Sequence, residues 1–327
     1  EFTKVDLTGG QEIEGAKMQI LDQEGKVVEE WVSKKEAHVV YALAPGEYIL
    51  HEEQAPTEQG YVRAEDVKFV VEETGDVQKV KMEDDHTKVS ISKTDITDGK
   101  EIEGAKLQIL DQDGEVVESW TTGEEHLIEY LPVGTYTLHE EAAVDGYIVA
   151  NDVEFTVEET GEIQKVKMED ERAMGQLVIV KTDTDSKAAL EGVEFVLLEK
   201  ETGKEVGRLK TGKDGKAVSE LLPIGTYENG VFKEPITYVL KETATLKGYE
   251  KTEEEWEIVF TYQNDKTPVI EVVKEIQNKK IPETPGTVKP GPKTGDDTNW
   301  FLPLLALGVS AGMVAGLLYY RKRHKKA

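Results

Sequence analysis

The chain is written in short alternations of apolar and polar residues. Residues 153–157 read VEFTV and residues 165–168 read KVKM, which turns one face inward and the other to water. Turn signals break these runs at close intervals, at residues 22–25, Pro45-Gly46, residues 111–114, Asp145-Gly146 and residues 213–215. No window before the C-terminal segment sustains a helical period. Short strands spaced roughly 8–12 residues apart predict an all-β sandwich architecture.

The strands come in copies. EIEGAKMQILD at residues 12–22 returns as EIEGAKLQILD at 101–111, and VEETGDVQKVKMED at 71–84 returns as VEETGEIQKVKMED at 157–170. A third, more diverged copy follows. QLVIVKTDTDSKAALEGVEFVLLEKETG at 176–203 keeps the pattern of SISKTDITDGKEIEGAKLQILDQDG at 90–114, and LLPIGTY at 221–227 repeats YLPVGTY at 130–136. Between Tyr227 and Tyr238 it carries an insertion, ENGVFKEPIT, that the other copies lack. The sequence therefore predicts three tandem β-sandwiches over residues 1–86, 87–172 and 173–280, joined almost without linkers.

At residue 281 the texture changes. Residues 281–299 are rich in Pro and Gly and predict an extended spacer that builds no core. Residues 300–320, WFLPLLALGVSAGMVAGLLYY, carry no charge. As a helix they reach roughly 30 Å, the thickness of a bilayer core. Trp300, Tyr319 and Tyr320 stand at the two ends, where amphipathic aromatics favour the interface. The basic tail at 321–327, RKRHKKA, predicts a cytoplasmic end for a single transmembrane helix.

Composition narrows the function classes. With 66 acidic against 39 basic residues the formal net charge is −27, which excludes a nucleic-acid partner. There is no cysteine, so small exported domains of this kind would need a source of stability other than disulfides. The sequence opens at Glu1 without an initiator methionine or a signal peptide, and it reads as a fragment or a processed chain. His51-Glu52-Glu53 and His139-Glu140-Glu141 lack the second histidine of a zinc helix. The acidic turns at 111–114 and 183–185 lack the glutamate that closes a calcium loop. No metal site, no cofactor site and no phosphate loop is expected.

The candidate chemistry lies in charges that recur in register. Each copy opens on a strand with one lysine: Lys4 in EFTKVD, Lys93 in SISKTD and Lys181 in VIVKTD. Midway comes a glutamate before a Gly-Tyr: Glu52 in YILHEE, Glu140 in YTLHEE and Glu242 in YVLKET. Each copy closes on an acid or amide: Asp84, Asp170, and Asn278 in VVKEIQNKK, with Asn264 and Asp265 as alternatives in the third. Isolated charges at strand ends are ordinarily solvated. A lysine, a glutamate and an acceptor at the start, middle and end of a sandwich could instead meet in its core.

These motifs resemble a known family. Lys-x-Asp near the start, Gly-Ala-x-hydrophobic-x-hydrophobic, Leu-Pro-x-Gly-x-Tyr and the glutamate box YTLHEEAAVDGY at 136–147 are similar to collagen-adhesin B-type domains, also called SpaA-type pilin domains. The resemblance runs from Glu1 to about Lys280. It implies prealbumin-like sandwiches and a spontaneous isopeptide bond from Lys4 to Asp84, Lys93 to Asp170 and Lys181 to Asn278, assisted by Glu52, Glu140 and Glu242. A lysine out of water becomes a neutral nucleophile, and a buried glutamate stays protonated and can shuttle protons. The bond would form once, as maturation and not as turnover, so no enzyme is expected.

Gly291-Pro292-Lys293-Thr294-Gly295, followed by the apolar span and the basic tail, resembles the sorting signal of sortase substrates, with Gly where that motif has Leu. The site residues carried over are Pro292, Lys293, Thr294 and Gly295. The resemblance implies a sortase transpeptidase as partner, cleavage after Thr294 and linkage to peptidoglycan, with a membrane-held precursor. The expected function is a wall-anchored stalk or pilin-like segment at the surface of a Gram-positive cell. The alternatives are an adhesin that binds a host matrix protein through the 228–237 insertion, and the anchor region of a larger surface enzyme.

Overall fold

The structure is a computed structural model, and it describes residues 1–282. It is built almost wholly from strands, with one 3-10 turn at Thr57–Gln59 among the described residues. The spacer beyond residue 282, Pro292, Lys293, Thr294, Gly295, the 300–320 span and the basic tail at 321–327 lie outside the described residues. Among the described residues no helix is long and apolar enough to cross a membrane.

Three sandwiches follow one another, each made of two sheets. In the first, one sheet runs in the order Val27–Val32, Lys17–Leu21, Gly46–Gln54, Val67–Val71. The second copy repeats it with Val116–Thr121, Lys106–Leu110, Gly134–Ala142, Val153–Val157, and the third with Glu205–Lys210, Glu194–Glu199, Thr237–Ala244, Glu255–Val259. All neighbours in these sheets are antiparallel.

The facing sheet joins the first strand of each copy to its last, and this pairing is parallel. Phe2–Asp6 lies along Val80–His86, Lys88–Asp95 along Ile163–Arg172, and Met174–Asp183 along Val269–Asn278. Parallel neighbours have no hairpin to join them, so the chain between must cross to the other sheet and return. Each core is filled from both sheets. In the second copy Val89, Ile91 and Met168 meet Leu107, Ile109 and Leu138, all essentially inaccessible. Each such side chain contributes about 1.5–3 kcal/mol by leaving water.

Consecutive sandwiches are packed directly on one another. Only Thr87 separates the closing strand of the first copy from the opening strand of the second, and its N–H donates to the carbonyl of Gly60. Tyr130 of the second copy inserts into the end of the first. Its ring stacks on His86 at 3.9 Å, and its hydroxyl donates to Asp6 at 2.8 Å. Gly60 has φ +78, and a Cβ there would fall 2.4 Å from the Tyr130 carbonyl, so this close approach demands glycine.

The second junction uses the matching framework with different plugs. Arg172 takes the place of His86, sits 4.1 Å over the Tyr227 ring and pairs with Asp95, while Tyr227 donates to the Gly146 carbonyl. Tyr227 belongs to a hairpin, Gly225–Glu228 with Val231–Pro235, that the insertion forms. Asn229 and Gly230 at its tip have φ 51 and 68, the left-handed pair that a two-residue hairpin turn requires. Only the adhesin alternative makes this insertion a recognition loop. Its Phe232, with Tyr227 beside it, packs backward on Gly146 of the second copy, while Glu228, Asn229, Lys233, Glu234 and Pro235 stay exposed.

Candidate functional site: three buried lysine clusters

The parallel pairing explains how distant charges meet. Lys4 is in register with Met82 and Asp6 with Asp84, so Asp84 stands two residues beyond the neighbour of Lys4, on the same inward face. The same offset places Asp170 near Lys93 and Asn278 near Lys181. Sequence reasoning set these acids and the amide at strand ends. In the structure Asp84 and Asp170 lie inside closing strands that run on to His86 and Arg172.

The glutamates come from the opposite sheet. Across the strand they face Met18, Leu107 and Phe195. Directly after each glutamate the register slips by one residue, passing over Glu53, Glu141 and Thr243. A bulge of this kind bends a strand and re-aims its side chains. It recurs at the same position in all three copies, which the repeat pattern alone did not disclose.

All nine residues are withdrawn from water, none more than 4% exposed. Lys4 Nζ lies 2.9 Å from Glu52 Oε2 and contacts Asp84 Oδ1. Lys93 Nζ lies 2.9 Å from Glu140 Oε2 and contacts Asp170 Oδ1. In the third cluster Lys181 Nζ is 2.9 Å from Glu242 Oε2 and 2.5 Å from Asn278 Oδ1. The alternative acceptors Asn264 and Asp265 are not in this cluster: Asn264 is exposed and caps a turn through Lys266. The backbone N–H groups of Ala64 and Ala150 hold Glu52 and Glu140 in place at 2.8 and 2.6 Å.

Burial decides the protonation states. Asp84 and Asp170 are each pushed up to about 7, chiefly because the apolar surroundings penalise the charged form. The adjoining lysine opposes this shift, and the neighbouring Glu52 or Glu140 adds to it. Lys181 is held below the usual amine range by the same desolvation, against the pull of Glu242. A buried amine held against a neutral acid or an amide is the pairing that amide formation needs, and the approach of the groups supplies the proximity of an intramolecular reaction. The buried Oε1 atoms of Glu52 and Glu140 and the Oδ2 atoms of Asp84 and Asp170 have no hydrogen-bond partner among the described residues. Groups so placed are costly as ions and less so as neutral acids.

His51 and His139, next to the glutamates, point outward and pair with Asp66 and Asp152 at 2.7 Å. Among the described residues no group of histidines and acids could hold a metal ion.

Comparison with known proteins agrees with this architecture. The family profile of the SpaA prealbumin-like fold domain matches residues 1–86, 87–172 and 175–235. A solved structure of the Bacillus anthracis TIE protein is 28% identical with a TM-score of 0.57, covering 85% of this chain and 50% of its own. The chain thus spans about half the length of that protein. The major pilin subunit of Bacillus cereus is 16% identical with a TM-score of 0.45, covering 86% of this chain and 98% of its own. No curated protein matches. With three matches that together span well over half of its length, the chain belongs to the SpaA family of prealbumin-like fold domains.

Proposed function

We propose that the chain is a structural stalk segment of a bacterial surface protein, whose three sandwiches are each locked by an intramolecular isopeptide bond. One observation carries this reading: a buried lysine amine lies against a buried acid or amide, with a buried glutamate beside both, in the same register three times over. In the first two clusters the lysine amine attacks Cγ of the protonated aspartic acid. A C–N bond forms, the C–O bond breaks, and the amine's proton leaves with the hydroxyl as water. In the third the attack is on the Asn278 amide, and the nitrogen leaves as ammonia. Glu52, Glu140 and Glu242 take the proton from the amine and return it to the leaving group.

Near-identical modules in series add length, not new specificity, which suits a stalk. The sorting-signal resemblance at 292–295 and the span after it would attach the stalk through a sortase to peptidoglycan, with the membrane holding the precursor. The location is therefore the cell surface. The one aromatic residue of the insertion, Phe232, is engaged against Gly146 and Tyr227, which argues against a host-matrix contact through that ring.

Peptide mapping of the full chain tests the chemistry. A branched peptide joining the Lys93 segment to the Asp170 segment is expected, and Glu140→Ala should abolish it while leaving the other two links. Linear peptides alone from the unsubstituted chain would refute the crosslinks.

A further inference from the structure

The third cluster differs from the others in its acceptor, and the structure assigns a reason. Asn278 uses both hydrogens of its amide: Nδ2 donates to Glu242 Oε1 at 2.7 Å and to Thr245 Oγ1 at 2.7 Å. Its Oδ1 faces Lys181 Nζ at 2.5 Å. We propose that Thr245 is the positioning residue that fits this cluster to an amide acceptor, turning the amide so that its carbonyl meets the amine and its nitrogen meets the glutamate. The inference rests on the crosslinking reading above and concerns which acceptor each cluster can use.

Thr245 stands three residues after Glu242, and the bulge passes over the residue next to the glutamate in every copy. The equivalent positions are therefore Ala55 after Glu52 and Ala143 after Glu140. Neither alanine can accept a hydrogen bond from its side chain, and both stand beside aspartic acceptors. The one copy with an asparagine has a hydroxyl there.

The chemistry gives the difference a purpose. The two oxygens of an aspartic acid can exchange roles by moving a proton, so either rotation presents a usable leaving group. An amide cannot, since its oxygen and nitrogen are fixed. Rotated by half a turn, Asn278 would put its NH2 against the Lys181 amine, donor to donor, and the departing nitrogen would lie away from Glu242. Glu242 alone satisfies one amide hydrogen; Thr245 satisfies the second and fixes the plane. Attack by Lys181 on Cγ then expels the nitrogen on the side where Glu242 can protonate it, so that one C–N bond forms, one breaks, and ammonia carries the amine's proton away.

The test is a time course on the full chain after a pulse of synthesis, with each crosslink followed by mass and peptide mapping. Thr245→Ala should slow ammonia loss at the third site about tenfold, the worth of one positioning hydrogen bond, while Thr245→Ser keeps it near the original rate. The two water losses serve as internal controls. In an Asn278→Asp background the Thr245→Ala change should have little effect, because an acid needs no fixed orientation. A residue that merely supported the fold would slow both backgrounds alike, and that result would overturn the proposal. Transplantation gives a second arm: Asp170→Asn should react slowly by itself and faster with Ala143→Thr added. Ammonia loss at the original rate in Thr245→Ala would also overturn the role of Thr245 and leave the crosslinking reading standing. No ammonia loss in the unsubstituted chain would instead remove the crosslinking reading at this site.

Discussion

Nine side chains that would ordinarily seek water stand in apolar cores, and the energetic consequence belongs to the single residue. For Asp84 and Asp170 the folded pKa near 7 exceeds the ordinary value of 3.8, so before the bond forms each acid contributes stability that is complete below about 4 and lost as pH rises through about 7. The protonated acid is also the form that loses water on attack. Crosslinking at the first two sites should therefore slow as pH is raised above about 7. The third site, with an amide acceptor, has no such carboxyl to titrate and should lack that fall. Rates of water and ammonia loss measured on one chain across pH 5–9 would check this. Parallel declines at all three sites would contradict the assigned protonation.

At the scale of the element, what could be read in advance and what could not divide along physical lines. Period-2 alternation and turn residues exposed the strands, because both are local. The lysine, glutamate and acceptor could be singled out because the copies set them in one register. The pairing itself depends on first and last strands lying parallel across two sheets, which local pattern does not encode. Thr245 escaped notice because its partner stands 33 residues away. The plugging of each junction by Tyr130 or Tyr227 arises between copies, and neither residue has a distinctive local signature. Asn229-Gly230 is the exception, a hairpin signal that is local and present in the sequence. The first junction also makes a prediction. Tyr130→Ala removes the stack on His86 and the bond to Asp6, worth roughly 2–3 kcal/mol together. The amides of Thr87 and Val133, which bridge the two copies, should then exchange with solvent at least tenfold faster. Unchanged protection would mean that the tyrosine does not secure the junction.

For the whole molecule the separation of the residues proposed to be joined matters most. Lys4 and Asp84 are 80 apart in sequence, Lys93 and Asp170 77, and Lys181 and Asn278 97. A covalent link across loops of this size, treated as a disulfide would be, would stabilise each domain by about 4–5 kcal/mol. A chain without a single cysteine has that much more need of it. Because each link joins the first strand to the last, tension along the chain would pass from opening strand to closing strand without unravelling what lies between. Formation of the crosslinks is read from the mass of the full chain, measured under denaturing conditions. Three closed crosslinks would leave a deficit of two waters and one ammonia from the mass calculated from sequence. An unshifted mass would contradict them: the three sandwiches would stand as described, but the buried lysines would be paired and not bonded.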